Sequence, residues 1–418
     1  MMQETNFYFQ DGALMVEQLP VATLVKEYGT PLYIYSQAAI ESRWESYEQA
    51  LADCRHWLCF AVKANSNIGL LHLLAKKNAG FDIVSGGELA RCLAAKANPK
   101  KIIFSGVGKQ DWEIEHALDA GIGCFNVESS SELEQITRIA QSRQQRAPIA
   151  FRVNPDVDPK THPYISTGLQ ENKFGIAWNE ALALYEQAHQ NAYCHVIGIA
   201  CHIGSQITTI EPFIDALNRL LTLVDQLAEK GIHLQHISIG GGLGISYHQE
   251  HPPTPAALCE ALKKTLGNRP LILTLEPGRS IVGDAGILVS KVIHIKQQGQ
   301  KQFAIIDAGM NDLLRPALYH AWHDIVNIQT TTEPAAVFDI VGPVCESSDI
   351  FAAGRELALR VDDHVALLQT GAYGFSMSST YNSRAQPAEV LVNKDTAHLI
   401  RARASIADLF KDEFLPDA

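Results

Sequence analysis

A lysine ends an apolar run in the segment CFAVKANSN, residues 59–67. Lys63 follows residues typical of a buried strand, and an ammonium ion is costly to remove from water. Its side chain therefore either reaches solvent from the strand end or is held there for a chemical purpose. A partly desolvated, uncharged lysine amine can attack a carbonyl group and form a Schiff base. The polar residues that follow Lys63 favour this chemical interpretation, although the residue type by itself does not.

Polar residues or glycines also end the other strand-like runs in the first two thirds of the chain. In chain order they are Asp82, Ser105, Glu128, Arg152, Asn154, His202, Gly240–Gly242 and Glu276. Each of them alone is more typical of a polar loop than of a site. Their recurrence at every strand end favours a shared site, because barrel enzymes carry their active sites at the C-terminal ends of the strands.

The runs themselves predict the scaffold that positions these residues. Eight strand-like runs alternate with helix-like segments, at 57–63, 80–85, 101–105, 122–128, 148–154, 195–204, 234–242 and 271–278. The intervening segments, such as GGELARCLAAKA and SSSELEQITRIAQS, begin with Gly or Ser, as helix N-termini do. This alternation predicts a (β/α)8 TIM-like barrel over residues 31–281, with a doubly wound sheet as the alternative.

The pattern changes after about residue 282. Runs such as AVFDIVG and AEVLVNKDTAHLIRAR are rich in Val and Ile and are broken by Gly, Asp and Asn. They predict a C-terminal antiparallel β-domain over residues 282–418. The N-terminal segment NFYFQDGALMVEQ resembles a hairpin, so residues 1–30 are predicted to join this β-domain. The fold class is therefore α/β, a barrel followed by a β-domain that the N-terminal strand joins.

Two loops near the end of the predicted barrel are candidates for holding a phosphate group. ISIGGGLGIS (237–246) and LTLEPGRSIV (273–282) end the seventh and eighth strands, where barrels often bind phosphate. Backbone N–H groups of consecutive glycines can approach a phosphate closely. The glycine run is not a dinucleotide fingerprint, because residue 245 is Ile. GVGKQ (106–110) is not a P-loop, because Gln stands where Ser or Thr is needed.

Composition excludes several other classes of protein. The net charge of −12, from 34 basic and 46 acidic residues, argues against a general nucleic-acid surface. The eight scattered cysteines contain no CxxC pair and fit the reduced thiols of a cytoplasmic enzyme. We expect neither a secretory signal nor a membrane span, since no apolar run approaches roughly 18 residues. No set of residues has convincing zinc-ligand spacing, so we expect no metal.

The assembled residues give the chain a clear resemblance. It resembles the pyridoxal-phosphate-dependent decarboxylases of the alanine-racemase-like barrel fold, a family whose members act on diaminopimelate, ornithine or arginine. The motifs occur in order along nearly the whole chain: GFDIVSGGEL, FNVES, RVNPDVD, HPYISTGL, CHIGSQ, GGGLGI, EPGRSIV, MNDLLRPALY, GPVCESSD and GAYGFSMSSTYNSR. AVKAN or GGG alone would be weak signals, whereas the ordered set is highly specific.

The resemblance implies roles for residues already singled out. Lys63 would hold pyridoxal 5'-phosphate as a Schiff base, His202 would stack on its ring, and Glu276 would face the ring nitrogen. A carboxylate at that position keeps the ring protonated and makes it a strong electron sink. The remaining cofactor-binding residues would be Ser205, Gly241, Gly242, Gly278, Arg279 and Tyr381 around the phosphate, with Asp82 and Arg152 in support.

In the β-domain the resemblance implies a second set of residues. Cys345 of CESSD would reprotonate the substrate, reaching across from the second subunit of a homodimer, although a cysteine is more often a buried apolar residue. The substrate-binding residues would be Arg279, Arg315, Tyr319, Glu346, Tyr373 and Tyr381. Two arginines suit a carboxylate, and Glu346 suits an ammonium group.

Together these features favour the decarboxylation of meso-2,6-diaminopimelate to L-lysine and carbon dioxide, the last step of lysine biosynthesis. A decarboxylase of ornithine, arginine or carboxynorspermidine on the same fold is the alternative, and the pair Arg315 and Glu346 discriminates against it. An amino-acid racemase would place an arginine at the ring nitrogen, where this chain has Glu276. A non-catalytic cofactor carrier would not need the β-domain.

Overall fold

The computed structural model describes residues 7–158 and 173–416, so the motif HPYISTGL at 162–169 lies outside the described residues. The chain divides into two compact units. The barrel unit comprises residues 43–246 and 250–281. The sheet unit comprises the residues up to 42, residues 247–249 and those from 282 onward.

The bounds of the elements follow in chain order. The strands are β1 (Phe7–Gln10), β2 (Ala13–Val16), β3 (Leu19–Pro20), β4 (Leu32–Ser36), β5 (His56–Ala61), β6 (Gly80–Ile83), β7 (Ile102–Phe104), β8 (Cys124–Val127), β9 (Ala147–Arg152), β10 (Cys194–Ala200), β11 (His236–Ser238), β12 (Ile272–Leu275), β13 (Gly286–Gln298), β14 (Lys301–Ile306), β15 (Ile325–Asn327), β16 (Ala336–Val341), β17 (Ile350–Leu357), β18 (His364–Leu367), β19 (Ala388–Asn393) and β20 (Thr396–Arg401). The α-helices are α1 (Val21–Tyr28), α2 (Gln37–Leu51), α3 (Ile68–Lys76), α4 (Gly86–Ala94), α5 (Asp111–Ala120), α6 (Ser130–Ser142), α7 (Trp178–Gln190), α8 (Glu211–Glu229), α9 (Pro255–Leu266), α10 (Arg279–Val282) and α11 (Arg315–Tyr319).

Strands β5 to β12 close into a barrel in sequence order, and every neighbouring pair is parallel. The apolar runs of the sequence become strands because both of their faces are covered. Strands β6, β7, β8 and β11 are buried along their whole length. The predicted (β/α)8 barrel is confirmed, and each of the eight predicted runs overlaps one of its strands.

The barrel helices begin where their first residues predict. The Ser85 hydroxyl accepts a hydrogen bond from the Glu88 N–H at the start of α4. Ser129 accepts one from the Glu132 N–H at the start of α6. Each hydroxyl satisfies a backbone donor that the first helical turn leaves open. None of the described helices combines the length and the apolar content needed to cross a lipid bilayer.

The sheet unit contains two sheets. Strands β1, β2 and β3 form a small antiparallel sheet, and the larger sheet has the order β17-β16-β14-β13-β4-β19-β20, with β15 and β18 attached beside β13. Most pairs are antiparallel, as predicted, but β14 pairs with β16 and β4 pairs with β19 in parallel. The N-terminal hairpin therefore belongs to the sheet unit without entering the larger sheet.

The structure moves one predicted boundary. The sequence LYIYS of β4 lies between β13 and β19, and all five of its residues are buried. Because β5 to β12 close the barrel without it, β4 has no place there. The barrel unit therefore begins at residue 43 rather than at 31, and the N-terminal part of the sheet unit extends to residue 42 rather than to 30. The predicted boundary between residues 281 and 282 coincides with that of the compact units.

The lysine of GVGKQ shows how this barrel buries an ammonium group that has no chemical task. Lys109 Nζ donates to the Gly106 and Asn126 carbonyl oxygens and lies 2.6 Å from Glu132 Oε1. Its side chain is 1% exposed. All three of its protons thus have acceptors, so the charge is compensated within the scaffold.

Candidate active site

Lys63 lies in the short turn that follows β5, at the C-terminal end of the barrel. Its Nζ atom is 3.1 Å from Asp82 Oδ2, at the end of β6. The Lys63 side chain is 37% exposed, whereas that of Asp82 is 1% exposed. The amine is therefore paired with a buried carboxylate, while the side chain that carries it stays partly exposed. The lysine lies at the strand end, as predicted, and its chemical role stays a prediction.

A chain of hydrogen bonds orients Asp82. The Ser105 hydroxyl, after β7, donates to Asp82 Oδ1 at 2.7 Å, and Asn126 in β8 donates to Ser105 Oγ at 3.0 Å. Asp82 thus uses one oxygen for Ser105 and the other for Lys63. Because three successive strands contribute, the position of the Lys63 amine depends on the register of the barrel.

Glu276 follows β12 and is 7% exposed. Ser238 Oγ donates to Glu276 Oε1 at 2.7 Å and accepts from the Gly240 N–H at 3.0 Å. Burial, together with the negative charge of Asp82, raises the pKa of Glu276 to about 8. The Ser238 hydrogen bond and the positive charges of Lys63 and Arg152 oppose this shift. The carboxyl group is thus largely protonated at neutral pH and would ionise next to a cation.

His202 and Arg152 complete the polar end of the barrel. Burial, followed by the charges of Lys63 and Arg152, lowers the pKa of His202 well below its usual value, so its ring is neutral. Arg152 Nη1 lies 3.1 and 3.2 Å from the two carboxylate oxygens of Glu128, which also accepts backbone N–H bonds from Gly106 and Gly175. The charges of Arg152 and Glu128 therefore compensate each other within the barrel.

The glycine run allows very close approach of two backbone segments. A Cβ atom on Gly241 would lie 2.1 Å from the Glu276 carbonyl oxygen. Gly242 has a φ of +111°, and a Cβ there would lie 2.3 Å from the Gly204 carbonyl oxygen. Gly278 is less crowded, with Ala64 Cβ at 2.9 Å from its Cβ position. A larger residue at any of the three positions would require its neighbours to shift.

Ser205 and Arg279, two further residues predicted to bind the phosphate, contact each other. Arg279, which begins α10 and is 7% exposed, donates from Nη2 to Ser205 Oγ at 3.0 Å. A side-chain clamp joins the loop of Ser205 to the glycine loop: Gln206 Nε2 donates to the Ile245 carbonyl oxygen at 2.6 Å, and its Oε1 accepts from the Ile245 N–H at 3.2 Å. Glycine N–H groups, a hydroxyl and a guanidinium make a donor set suited to an anion.

The sheet unit holds the other predicted residues. Arg315 and Tyr319 lie four residues apart in α11, and Arg315 is 6% exposed. The Tyr381 hydroxyl donates to Glu346 Oε1 at 2.8 Å. Tyr373 has a φ of +56°, a left-handed conformation that is unusual for a tyrosine.

Cys345 is exposed, and it is the one exposed cysteine among the described residues, which include all eight cysteines of the chain. Asp349 anchors the loop of Cys345, because its carboxylate accepts hydrogen bonds from the backbone N–H groups of Val344 and Met310. The Cys345 N–H itself donates to Asn382 Oδ1 at 2.9 Å. The alternative interpretation of Cys345 as a buried apolar residue is therefore wrong.

Within each unit the structure brings several predicted residues together. In the barrel unit these are the pairs Lys63 with Asp82 and Arg279 with Ser205; in the sheet unit, Tyr381 with Glu346. Tyr381 was expected both at the phosphate and among the substrate-binding residues, and its hydroxyl bonds to Glu346, another predicted substrate-binding residue. Ser238 and Gln206 were not predicted as site residues. Gln206 stands inside the quoted motif CHIGSQ, but nothing in the sequence pairs it with Ile245.

The sequence of this chain is similar to those of known pyridoxal-dependent decarboxylases. Residues 37–283 match the family model described as "Pyridoxal-dependent decarboxylase, pyridoxal binding domain". The diaminopimelate decarboxylase of Pseudomonas aeruginosa is 50% identical over 410 residues, which cover 98% of this chain and 99% of that protein. That of Vibrio cholerae is 50% identical over 412 residues, with the same coverage of 98% and 99%.

Solved structures of diaminopimelate decarboxylases also resemble this chain. Diaminopimelate decarboxylase from Helicobacter pylori, complexed with L-lysine, superposes with a TM-score of 0.91 at 42% sequence identity, covering 94% of this chain and 99% of that one. The enzyme from M. jannaschii, also in complex with L-lysine, gives a TM-score of 0.94 at 40% identity and covers 98% of each chain.

The raised pKa of Glu276 predicts a specific pH dependence of stability. Between its ordinary pKa of 4.5 and the folded-state value of about 8, the folded chain retains a proton that the unfolded chain releases. The free energy of unfolding of the cofactor-free protein therefore falls as pH rises through this window. Glu276→Gln removes the ionisable group, so its slope should be shallower by up to about 1.4 kcal/mol per pH unit.

Urea unfolding of both proteins at intervals between about pH 4.5 and about pH 8 measures the two slopes. Glu113→Gln, at a buried carboxylate on another part of the barrel, is a matched control for the substitution itself. Identical slopes for the original protein and Glu276→Gln would contradict the assigned protonation state.

Proposed function

The chain belongs to the pyridoxal-dependent decarboxylases, and from this premise we propose that it converts meso-diaminopimelate to L-lysine and carbon dioxide. Two diaminopimelate decarboxylases are 50% identical to this chain over 98% of its length. Two similar solved structures of diaminopimelate decarboxylases are complexes with L-lysine. The observation that carries the proposal from within the chain is one barrel end where a partly exposed lysine, Lys63, is paired with a buried carboxylate and a second carboxyl group, Glu276, is buried beside the Ser238 hydroxyl.

The residues present fit pyridoxal 5'-phosphate. Lys63 offers the amine that would hold its aldehyde carbon, and glycine stands at 241, 242 and 278, where a Cβ atom would clash and where backbone N–H groups would approach a phosphate closely. Arg279 and Ser205 add a guanidinium and a hydroxyl to the same donor set. When bound, the cofactor supplies a protonated pyridine ring that accepts the electron pair left by the departing carboxylate.

Glu276 and His202 set the charge around that ring. The protonated Glu276 carboxyl would give its proton to a ring nitrogen and remain beside it as a carboxylate. The neutral imidazole of His202 would pack on the ring without adding a competing positive charge. Asp82 would keep the Lys63 amine in place and balance its charge.

We assign the protonation step to Cys345. After carbon dioxide leaves, the substrate carbon needs a proton, and a thiol is a suitable donor. Cys345 is exposed on a loop that Asp349 anchors, so its Sγ atom would be available to a neighbouring molecule. We propose that the protein is a homodimer in which Cys345 of one subunit serves the barrel of the other.

Substrate selection would rest on charge. The end of diaminopimelate that does not react carries both a carboxylate and an ammonium group. Arg279 and Arg315 suit the carboxylate, and Glu346 suits the ammonium. The remaining hydrogen bonds to substrate would come from Tyr319, Tyr373 and Tyr381. Tyr381 would donate either to the phosphate or, as it does in this structure, to Glu346.

We also propose a cytoplasmic location. All eight cysteines are free, and six of them are buried. A reducing compartment preserves free thiols, including the proposed proton donor.

Carbon dioxide release by the cofactor-loaded protein tests the proposed reaction. Offered meso-diaminopimelate, ornithine, arginine and L-lysine in parallel, the protein should release carbon dioxide from diaminopimelate at least about a hundredfold faster than from the others. Each of the others carries a single carboxylate, so none has both a reacting and a distal one. Preference for ornithine or arginine would refute the assigned substrate while leaving the cofactor site intact.

The role of Cys345 predicts a split between binding and turnover. Cys345→Ala should leave the absorption of the bound cofactor unchanged and lower kcat by about a hundredfold or more, because a proton donor is lost. Cys54→Ala, at a half-buried thiol of the barrel unit, is the matched control. An unchanged kcat in Cys345→Ala would remove this thiol from the mechanism.

Mixing two inactive variants tests whether sites are shared between subunits. Lys63→Ala and Cys345→Ala, refolded or exchanged together, form mixed dimers in which one of the two sites is intact. Random pairing would restore about a quarter of the original activity. No recovery, although mixed dimers form, would contradict a shared site.

A further inference from the structure

Arg315 is buried in the sheet unit with its guanidinium held on two sides. Its Nη1 atom lies 2.8 Å from His323 Nε2, and its guanidinium carbon lies 4.4 Å from the centroid of the Tyr247 ring. Arg315 is 6%, Tyr247 4% and His323 0% exposed. These are side chains of the scaffold, distant in sequence, that converge on one guanidinium.

The hydrogen bonds fix the tautomer of His323. A guanidinium has no acceptor atom, so His323 Nε2 must accept the Arg315 proton through its lone pair. His323 Nδ1 lies 2.7 Å from the Leu368 carbonyl oxygen, which can only accept, so Nδ1 must carry the proton. Both ring nitrogens are therefore committed, and the ring is neutral.

Tyr247 contacts both members of this pair. Its ring meets the His323 ring edge to face, with centroids 5.4 Å apart at 82°, while its face lies against the guanidinium. An aromatic face attracts a guanidinium and leaves the edge of that group open for hydrogen bonds. Arg315 is thus restricted in rotation by one hydrogen bond and one aromatic face.

We infer that His323 is a positioning residue that orients Arg315 for the carboxylate at the non-reacting end of the substrate, with Tyr247 as its stacking partner. The inference rests on the proposed function, in which Arg315 binds that carboxylate. Holding a long side chain in place before binding lowers the entropy that binding would otherwise cost. His323 and Tyr247 would then contribute to the selection of a dicarboxylic substrate without touching it.

Two substitutions separate the two hydrogen bonds of His323. The amide of His323→Asn is placed like Nδ1, so it can still donate to Leu368 but does not reach Arg315. The longer His323→Gln places an acceptor near the position of Nε2. His364→Asn, the same change at a half-buried histidine in β18 of the same unit, is the matched control.

L-Lysine, the product of the proposed reaction, and cadaverine serve as probes. L-Lysine keeps the carboxylate of the non-reacting end, whereas cadaverine is the same diamine without it. Calorimetric titration of the cofactor-loaded protein gives the Kd of each. His323→Asn should raise the Kd of L-lysine about tenfold and leave that of cadaverine within about twofold. His323→Gln should recover most of the L-lysine affinity, and His364→Asn should match the original protein.

A double-substitution cycle shows whether His323 acts through Arg315. Arg315→Met should weaken L-lysine binding, and adding His323→Asn to it should have no further effect. An equal loss in both backgrounds, or an equal loss for cadaverine, would overturn the inference by showing a general structural effect. Unchanged L-lysine affinity in Arg315→Met would overturn the assignment of Arg315 and the inference with it. That result is distinct from failure of the proposed reaction, which the release of carbon dioxide measures independently.

Discussion

The ion pair between Lys63 and Asp82 is the interaction on which the arrangement of this barrel end depends. Asp82 is buried, and its two oxygens are divided between Lys63 and Ser105. The carboxylate thus fixes the amine at the strand end, while more than a third of the lysine side chain stays exposed. Lys109 shows the contrast, since its three protons are all used inside the scaffold. An amine that is fixed and still accessible is what a covalently held cofactor requires.

The other charged groups of the barrel end follow from the same constraint on burial. Arg152 and Glu128 compensate each other. Glu276 bonds to the Ser238 hydroxyl and keeps its proton, because burial raises its pKa to about 8. A cationic ring beside Glu276 would supply a counter-charge and favour the ionised carboxylate. The site therefore combines two compensated pairs with one carboxyl group that can exchange a proton with a bound ring.

Much of this arrangement could be predicted from the sequence, because it follows local patterns. The eight apolar runs predict the barrel strands in their order along the chain. The polar residue that ends each run is predicted to lie at the C-terminal end of the barrel. Strand β4 could not be assigned from its pattern, since a buried run of five residues suits a barrel or a sheet equally well. The Gln206 clamp and the contact of His323 with Arg315 depend on tertiary geometry, which spacing along the chain does not encode.

The most direct test of the account is the identity of the lysine that holds the cofactor. Borohydride reduction of the cofactor-loaded protein attaches the pyridoxyl group permanently to that lysine, and peptide mass spectrometry then locates it. We expect a single modified site at Lys63, with the buried Lys109 unmodified. Modification of a different lysine, or a cofactor lost completely after reduction, would contradict the assignment of the barrel end as the catalytic site.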